Sequence, residues 1–388
     1  MERSATRILT THAGSLPRPP ELTALMVRKS RGEPVDEAEL SALVKQATER
    51  VVAKQLEVGI DIGNNGEQPR ESFFTYVQHR LSGFGGLYNR PIMRDIVHFQ
   101  SFLQLKLPEF ARRPMVSLGT LPRATGEVRY VDRSQSEREC ADFKQIVAQQ
   151  PKPFIELFMS AASPGIVACA MEDEYYGSLD AYVDAVADAL RVEYEYIVSQ
   201  GFVLQLDCPD LAMERHTRFH DQPLDAFLRF VDHGIAAINR ALSNVPRERV
   251  RLHVCWGNYE APHIFDVPLQ DLLPHLYAAK VGALVLSMAN PRHAHEYKCF
   301  QSFPLPDNML LVAGVIDPTT NYVEHPEVVA ERIERAAGVV GDPHRVLAGT
   351  DCGFDTSAGL GEVAEEVVWE KLRALRAGAD LATRRLLR

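Results

Sequence analysis

The sequence is poor in cysteine and tryptophan, and it has no excess of basic residues. Six cysteines among 388 residues are too few for a disulfide framework, which favours a cytoplasmic protein. The formal net charge of −10 argues against a nucleic-acid-binding face, because such a face is basic. No apolar run approaches the roughly 18 residues of a membrane span, and the N-terminus lacks the apolar core of a secretory signal. We therefore expect neither nucleic acid nor a membrane as a partner.

The remaining composition, with 46% hydrophobic and 24% charged residues, is that of an ordinary globular enzyme. Short apolar runs alternate with longer stretches of helical periodicity. The predicted strands are residues 8–11, 58–63, 154–158, 202–207, 250–255, 283–287, 310–315 and 346–350. The predicted helices are residues 37–56, 179–199, 223–242, 269–280, 326–338 and 361–377. Such alternation predicts a parallel sheet with right-handed crossovers.

Eight strand–helix units would close a (β/α)8 TIM barrel, so we predict a single α/β domain over residues 1–388. An open doubly wound sheet is the alternative. It is disfavoured because no Gly-x-Gly-x-x-Gly motif follows the first predicted strand. Residues 83–150 do not fit the repeat, and we predict that they form an inserted elaboration over one end of the barrel. Within it, residues 115–118 and 128–131 are predicted to pair as a hairpin.

Chemically reactive side chains recur where the predicted strands end. They are Ser15, Glu67, Asp207, His253, Cys255, Asp317 and Cys352. The carboxyl ends of barrel strands converge on one face, where barrel enzymes have their active sites. Any one of these residues could be a turn former or a helix cap, and we interpret Asp317 as a helix cap or as a group that supports the site from behind, rather than as a general acid. Their recurrence at the same structural position favours a shared site.

His253 and Cys255 lie two residues apart at the end of a predicted strand, so their side chains project to the same face. Cys352, at the end of another predicted strand, would add a second thiolate. One imidazole and two thiolates are three of the four ligands of a tetrahedral zinc ion, with the fourth position kept for water or substrate. Two alternatives stay open, a metal-free Cys–His catalytic dyad and a purely structural role.

Five short motifs follow one another along the chain. They are HAGSLP at residues 12–17, NGEQPR at 65–70, LQLDCP at 204–209, HVC at 253–255 and DCG at 351–353. Each lies at the end of a predicted strand. Together they resemble the catalytic C-terminal domain of cobalamin-independent methionine synthase and the stand-alone, zinc-dependent thiol alkyltransferases built on that domain.

The resemblance implies a (β/α)8 barrel with a zinc site and a pocket for an amino-thiol acceptor. It implies that Zn²⁺ is held by His253, Cys255 and Cys352. It implies that the polar end of homocysteine is held by Ser15, Glu67 and Asp207. The chemistry is coherent, because two carboxylates can pair with an ammonium group while the thiol goes to the metal.

The chain departs from the family pattern at three points. Ser287 stands where the family has a glutamate zinc ligand, and Thr319 stands where it has a histidine proton donor. Directly after residues 154–158, where the family has the tryptophan on which its folate stacks, this chain has no tryptophan. The thiol-activating half of the implied site is therefore retained, whereas the methylfolate half is altered. The segment NPRHAHE at 290–296 could supply a replacement ligand or substrate contacts, or be a solvated loop.

We therefore expect zinc-dependent transfer of a methyl or other alkyl group from an alkyl donor to a small-molecule thiol, either homocysteine or a coenzyme M-like thiol. Epoxide opening, as in epoxyalkane:coenzyme M transferase, is the alternative within this class. A metal-free decarboxylase of the uroporphyrinogen type and a non-catalytic binding protein are the alternatives outside it. The oligomeric state is open, with a homo-oligomer among the options. His216, His220 and His233 are predicted to be surface residues, because their surroundings are helical and charged.

Overall fold

The computed structural model describes residues 1–387 of the protein, and Arg388, the last residue of the predicted domain, lies outside the described residues. This part of the chain forms a parallel sheet and a separate two-stranded antiparallel pair. The strands are β1 Ile62–Gly63, β2 Phe84–Asn89, β3 Thr120–Ala124, β4 Glu156–Ala162, β5 Val203–Asp207, β6 Val250–Val254, β7 Ala283–Leu286, β8 Leu310–Ile316 and β9 Val346–Thr350.

Helices precede the sheet, cover the elaboration and connect the parallel strands. They are α1 Pro20–Ser30, α2 Glu37–Glu57, α3 Arg94–His98, α4 Gln100–Arg112, α5 Ser134–Ala148, α6 Pro164–Ala170, α7 Leu179–Ser199, α8 Leu224–Ala241, α9 Leu269–Leu276, α10 Cys299–Ser302, α11 Pro326–Val340 and α12 Glu365–Leu386. The helices α2 and α7 begin where Asp36 and Ser178 accept hydrogen bonds from amides of the first turn, as N-cap residues do. None of the helices formed by residues 1–387 combines the length and the hydropathy of a membrane span.

The parallel sheet has the order β1-β4-β5-β6-β7-β8-β9. Apart from the separate pair β2 and β3, each strand therefore lies beside the next one in sequence. All the residues that form the strands β5, β6, β7, β8 and β9 are buried, as expected when both faces of a parallel sheet are covered. The predicted α/β class with a parallel sheet is confirmed.

The sheet is curled, because its two edge strands contact the same segment of chain. The amide of Thr11 donates to the carbonyl of Ala348 in β9 at 2.9 Å, and Thr10 forms a parallel bridge with the same residue. On the other side, the amide of Ile62 in β1 donates to the carbonyl of Thr10 at 3.0 Å. The first predicted strand, residues 8–11, is thus reduced to one bridge residue between β9 and β1.

Alternate residues of the parallel strands face the inside of this curl. They form a buried apolar cluster made of Leu9, Ile62, Phe158, Val203, Ala283, Val285, Leu310, Val312 and Leu347. Side chains two residues apart on a strand share a face. In β5, the face that carries Val203 therefore also carries Gln205 and Asp207. In β6, the same face carries Arg251 and His253. The guanidinium of Arg251 lies 3.7 Å from the centroid of the Phe158 ring. The alternation directs these polar side chains to the inside of the curled sheet.

The predicted elaboration is present, but the hairpin predicted within it is wrong. The strand β2 pairs with β3 in antiparallel register, whereas residues 115–118 precede β3 and residues 128–131 follow it. Residues 124–126, which lie between the two segments of the predicted hairpin, dock instead on Gly83, whose carbonyl accepts the amides of Thr125 and Gly126 at 2.8 and 3.1 Å. This partner is about forty residues away in sequence, so local periodicity could not identify it.

A buried ion-pair network attaches the segment after β1 to α5 and α7. Arg70 pairs with Glu139 of α5 at 2.9 Å, and Arg80 bridges Glu139 and Glu193 of α7 at 2.8 and 2.9 Å. Both guanidinium groups lie over the ring of Tyr76, 4.3 and 4.4 Å from its centroid. Burial alone would raise the pKa of Glu139, yet the two arginines hold it below its ordinary value.

The substitution Glu139→Ala tests this network. It would leave two buried guanidinium groups short of a partner, so we expect the free energy of unfolding to fall by about 3–5 kcal/mol. Urea denaturation measures the change. The matched control is Glu137→Ala on the same helix, because this side chain is 45% exposed and lies 3.5 Å from Arg133. The control should lose at most about 1 kcal/mol, and an equally small loss for Glu139→Ala would contradict the role of the network.

Candidate metal centre

The three predicted metal ligands meet at the carboxyl ends of β6 and β9. His253 lies in β6, Cys255 follows two residues later on the same face, and Cys352 follows the end of β9. Their ligand atoms all lie within 4.8 Å of one another, and all three residues are buried. Within residues 1–387, no further His, Cys, Asp or Glu joins this group.

The spacing of these atoms suits a tetrahedral metal site. With metal–sulfur bonds of about 2.3 Å and metal–nitrogen bonds of about 2.0 Å, neighbouring ligand atoms of such a site lie about 3.5–3.8 Å apart. Nε2 of His253 lies 3.8 Å from Sγ of Cys352. Both cysteines are free thiols, so both sulfurs are available. The group could therefore hold a metal ion.

The other ring nitrogen of His253 is held by Asp207. Nδ1 lies 2.9 Å from Oδ1 of Asp207, and the side-chain amide of Gln205 donates to the same oxygen at 2.7 Å. Burial alone would lower the pKa of His253, but the bond to Asp207 and the neighbouring Cys255 raise it to about 10. Nε2 also lies 3.1 Å from the carbonyl oxygen of Asp351. A metal ion bound to Nε2 would take the place of the proton between these two atoms.

Each of the two thiols changes the acidity of the other. A hydrogen bond from Cys352 holds the pKa of Cys255 well below its usual range, and the nearby His253 lowers it further. The same bond raises the pKa of Cys352. Cys255 is therefore the more acidic thiol of the pair, and the thiolate is the form that binds metals and attacks electrophiles.

Asp351 anchors the loop that follows β7. Its buried carboxylate accepts the amides of Met288, Ala289 and Asn290 at 2.8 to 2.9 Å, and burial raises its pKa to about 6. Ser287, at the position of the family's glutamate, donates from Oγ to the carbonyl of Asp351 at 3.0 Å. The serine hydroxyl is thus engaged by backbone. The sequence analysis gave Asp351 no role, although it belongs to the DCG motif and its position next to the predicted ligand Cys352 could have indicated one.

Glu67 combines an unusual backbone with an unsatisfied carboxylate. Its φ is +56°, in the left-handed region that residues with a side chain rarely adopt. Oε1 accepts from the hydroxyl of Ser160 at 2.7 Å, whereas Oε2 is buried and has no partner among the described residues. Burial raises the pKa of Glu67 to about 7, and the nearby Asp207 contributes to the rise. A buried carboxylate oxygen without a partner suits a cationic ligand.

Two glycines of the predicted motifs allow Ser15 and Glu67 to approach the neighbouring loops closely. A Cβ on Gly353 would lie 2.1 Å from Oγ of Ser15. A Cβ on Gly14, whose φ is +128°, would lie 2.3 Å from Oε1 of Glu67. Only glycine fits these two positions without displacing the side chain opposite.

The structure brings all six predicted site residues to one cavity of about 380 Å³. They are Ser15, Glu67, Asp207, His253, Cys255 and Cys352, and we call the end of the cavity that they form the floor. All six are buried. Chemically, the floor can bind a metal ion through one nitrogen and two sulfurs, and a cationic group through two carboxylates.

The segment 290–296 does not contribute to the metal ligands. Nδ1 of His293 lies 2.8 Å from Glu296, and Nε2 lies 2.9 Å from Asp266. The other oxygen of Glu296 accepts the amide of Leu269 at 2.7 Å. Both side chains are thus engaged by the protein's own groups, and the interpretation of this loop as the source of a replacement ligand is not supported.

The prediction that three histidines lie on the surface is wrong for one of them. His216 is only 1% exposed and lies between Asp95 and Asp266, at 3.7 and 3.6 Å. His220 is exposed, and His233 is half-buried. Because Asp95 belongs to α3 in the elaboration, no local signal in the sequence could have indicated this burial.

Two further polar residues lie near the floor. Asp317 accepts from the amide and the hydroxyl of Thr319 at 2.9 and 2.7 Å, as in an Asx turn, and the predicted helix cap is wrong because α11 begins only at Pro326 with His325 as its N-cap. Asn258 donates to the carbonyl of Gly353 at 2.8 Å, and its Oδ1 is buried without a partner among the described residues. Asn258 also lines the cavity. Sequence reasoning missed it, because an isolated asparagine near a strand end is typical of a turn.

Comparison with known proteins identifies relatives along most of the chain. A methionine synthase from Sulfolobus acidocaldarius is 26% identical over 355 residues, which cover 91% of this chain and 88% of that one. A 2-hydroxypropyl-CoM lyase from Xanthobacter autotrophicus is 29% identical over 150 residues, which cover 32% of this chain and 40% of that one. No family model matches the chain.

A solved structure shares the fold. The B12-independent methionine synthase from Shewanella sp. W3-18-1, in complex with selenomethionine, superposes with a TM-score of 0.73 at 21% identity. The alignment covers 98% of this chain and 99% of that one. The family resemblance predicted from the five motifs is thereby confirmed, because the chain is similar along most of its length to methionine synthases and shares the fold of a B12-independent one.

Proposed function

We propose that the protein is a zinc-dependent transferase that moves a methyl or other alkyl group onto a small-molecule thiol, in the manner of a homocysteine S-methyltransferase. One observation carries the proposal, the convergence of His253, Cys255 and Cys352 at the floor of the cavity. The relatives named methionine synthase support it.

His253, Cys255 and Cys352 would hold the zinc ion through one nitrogen and two sulfurs. Bound there, zinc would lower the pKa of a thiol in its open position and so supply a nucleophilic sulfur at neutral pH. Asp207 keeps the proton of His253 on Nδ1, so that Nε2 is the atom directed at the two thiols. The side-chain amide of Gln205 fixes the carboxylate of Asp207 in turn.

The acceptor would be an amino-thiol held by Ser15, Glu67 and Asp207. Oε2 of Glu67 is the free acceptor for an ammonium group, and the repulsion between Glu67 and Asp207 would be relieved by a cation between them. This arrangement orients the acceptor, and the effect is one of proximity and alignment. Retention of both carboxylates favours homocysteine over coenzyme M, which has no ammonium group.

The transfer is a displacement at carbon. The acceptor sulfur forms the new bond to the transferred carbon, and the bond between that carbon and its former partner breaks. The departing atom takes the electron pair, and the thiol proton is released. Opening of an epoxide follows the same course with the departing oxygen still attached to the product, and the local similarity to 2-hydroxypropyl-CoM lyase keeps it as the second candidate. A metal-free decarboxylase would have no use for two buried thiols beside an imidazole.

We further propose that the curled sheet closes into a single (β/α)8 barrel domain of the cytoplasm. The backbone bonds of Thr10 and Thr11 to β9 and β1 support closure by an eighth, very short strand.

Cys352→Ser tests the function directly. With one of three ligands lost, we expect the roughly one equivalent of zinc to be lost as well. Thioether formation from homocysteine should fall by more than the roughly 10- to 100-fold typical of losing a group that only orients a ligand. Elemental analysis measures the zinc. Mass spectrometry detects the thioether from 5-methyltetrahydrofolate, S-methylmethionine or a small epoxide as donor.

The control is Cys208→Ser, since this buried thiol lies beside Asp207 but its hydrogen-bond partners are the carbonyl of Leu206, at 3.6 Å, and the side chain of Ser163, neither of which is a predicted ligand. It should keep both zinc and activity. Full activity of wild-type protein without metal would refute the proposal.

Asp207→Asn tests the orientation of the imidazole. The neutral amide supports His253 less well, so we expect the zinc dissociation constant to rise roughly 10- to 100-fold. Chelator competition measures it. Asp317→Asn at the same end of the sheet contacts no predicted ligand and should leave the constant unchanged. Equal zinc affinity in wild type and Asp207→Asn would contradict this role.

Glu67→Gln tests recognition of the ammonium group. Loss of the charge should raise KM for homocysteine roughly 10- to 100-fold, the value of a hydrogen bond to a charged group. The matched acceptor 4-mercaptobutanoate lacks the amino group, and its KM should respond little. If both acceptors weaken equally, Glu67 does not bind the ammonium group.

A further inference from the structure

The cavity above the floor is roofed by the elaboration. Its roof is formed by α3, α4 and the loop that leads to β3, which contribute Ile96, Phe102, Leu103, Phe110 and Leu118. We call this region the apolar chamber. Nothing in the family motifs concerns these residues, because all five lie within residues 83–150.

Most of the large apolar side chains of helix α4 line the apolar chamber and are not part of the protein core. None of the residues of this helix is buried. It carries five leucine and phenylalanine side chains, and four of them line the cavity. Leu105 is 71% exposed and does not line the cavity. Phe102 and Leu103, three and two residues earlier, are only half-exposed and line it. The helix thus keeps an apolar face over an internal space.

The cations of the chamber are already paired. Among the described residues that line the cavity, the lysine and arginine side chains are Arg90 and Lys106. Arg90 pairs with Glu214 at 2.5 Å, and Lys106 pairs with Glu260. A ligand with carboxylate or phosphate groups would therefore find no free positive charge here, and burying such groups unpaired is costly.

Most polar groups of the chamber are likewise engaged. Oγ of Ser117 accepts the amides of Gly119 and Thr120 at 3.1 and 3.0 Å, and the hydroxyl of Tyr259 donates to Asp95 at 3.3 Å. The unpartnered polar atoms belong to the floor and its edge, Oε2 of Glu67 and Oδ1 of Asn258. The cavity is thus polar at the metal ligands and apolar away from them.

We propose that the alkyl donor is an uncharged, apolar molecule that binds in the apolar chamber with its reactive carbon toward the floor. The proposal rests on the proposed function and names its second substrate class. The polar floor would take the amino-thiol, and the chamber would take the hydrocarbon body of the donor. A volume of about 380 Å³ is within the usual range for small-molecule sites.

A second cavity of about 300 Å³ offers the opposite chemistry. It shares Cys352 with the first and is lined by Arg292, His293 and Asp317. A charged donor would be expected there, so the test must separate the two.

Binding of straight-chain alcohols to the full-length, zinc-loaded protein tests the chamber. Each added methylene should tighten binding about fourfold, so hexan-1-ol should bind about 15-fold more tightly than butan-1-ol. Dissociation constants come from NMR titration. We also expect that 5-methyltetrahydrofolate, which carries carboxylates, does not displace hexan-1-ol. Displacement by this probe, or the same affinity for both alcohols, would overturn the proposal.

Variants of α4 locate the bound alcohol. Leu103→Asp places a charge in the chamber and should weaken hexan-1-ol at least tenfold, whereas Leu105→Asp, on the outer side of the same helix, should not. Leu118→Asp repeats the test from another element if Leu103→Asp does not fold. Unchanged binding in a folded chamber variant would overturn the proposal.

Zinc content and methyl transfer are measured on the same preparations. If the protein lacks zinc or activity but still binds hexan-1-ol more tightly than butan-1-ol, the result counts against the proposed function alone. A missing chain-length dependence in a protein that keeps zinc and activity counts against the apolar donor alone.

Discussion

The hydrogen bond between Nδ1 of His253 and Oδ1 of Asp207 is the contact on which the site depends. It joins the ends of two adjacent parallel strands, β5 and β6, and fixes which ring nitrogen faces the cysteines. Below it, Gln205 donates to Asp207 at 2.7 Å, and Arg251 donates to Gln205 at 2.8 Å. This buried chain of hydrogen bonds runs along the inner face of the sheet, and each member holds the next in place.

The parts of this arrangement that follow strand periodicity could be predicted from sequence. The alternation of β5 and β6 places Asp207 and His253 on one face, and a strand end is where both were expected. The mutual positions of loops could not be predicted in this way. Asp351 anchors the loop after β7 through three amides, and the burial of His216 depends on Asp95, more than a hundred residues earlier in the chain. Such long-range contacts leave no periodic signal.

The departures from the family pattern acquire a physical meaning in the fold. Ser287 is engaged by the carbonyl of Asp351, so the glutamate of the family pattern is replaced by a side chain that hydrogen-bonds backbone. The residues that would hold the thiol are retained, whereas the space around them is roofed by an elaboration whose two cavity-lining cations, Arg90 and Lys106, pair with Glu214 and Glu260 from outside it. If the polar floor binds the thiol and the apolar roof binds the donor, as proposed, the two substrates are recognised by different elements, and a change in the roof could change the donor without changing the floor.

X-ray absorption spectroscopy at the zinc edge tests the central claim most directly, since it reports the atoms bound to the metal. We expect two sulfur ligands at about 2.3 Å and one nitrogen ligand at about 2.0 Å, with a third sulfur after homocysteine is added. A zinc ion bound only by nitrogen and oxygen, or a sulfur count unchanged by homocysteine, would contradict it.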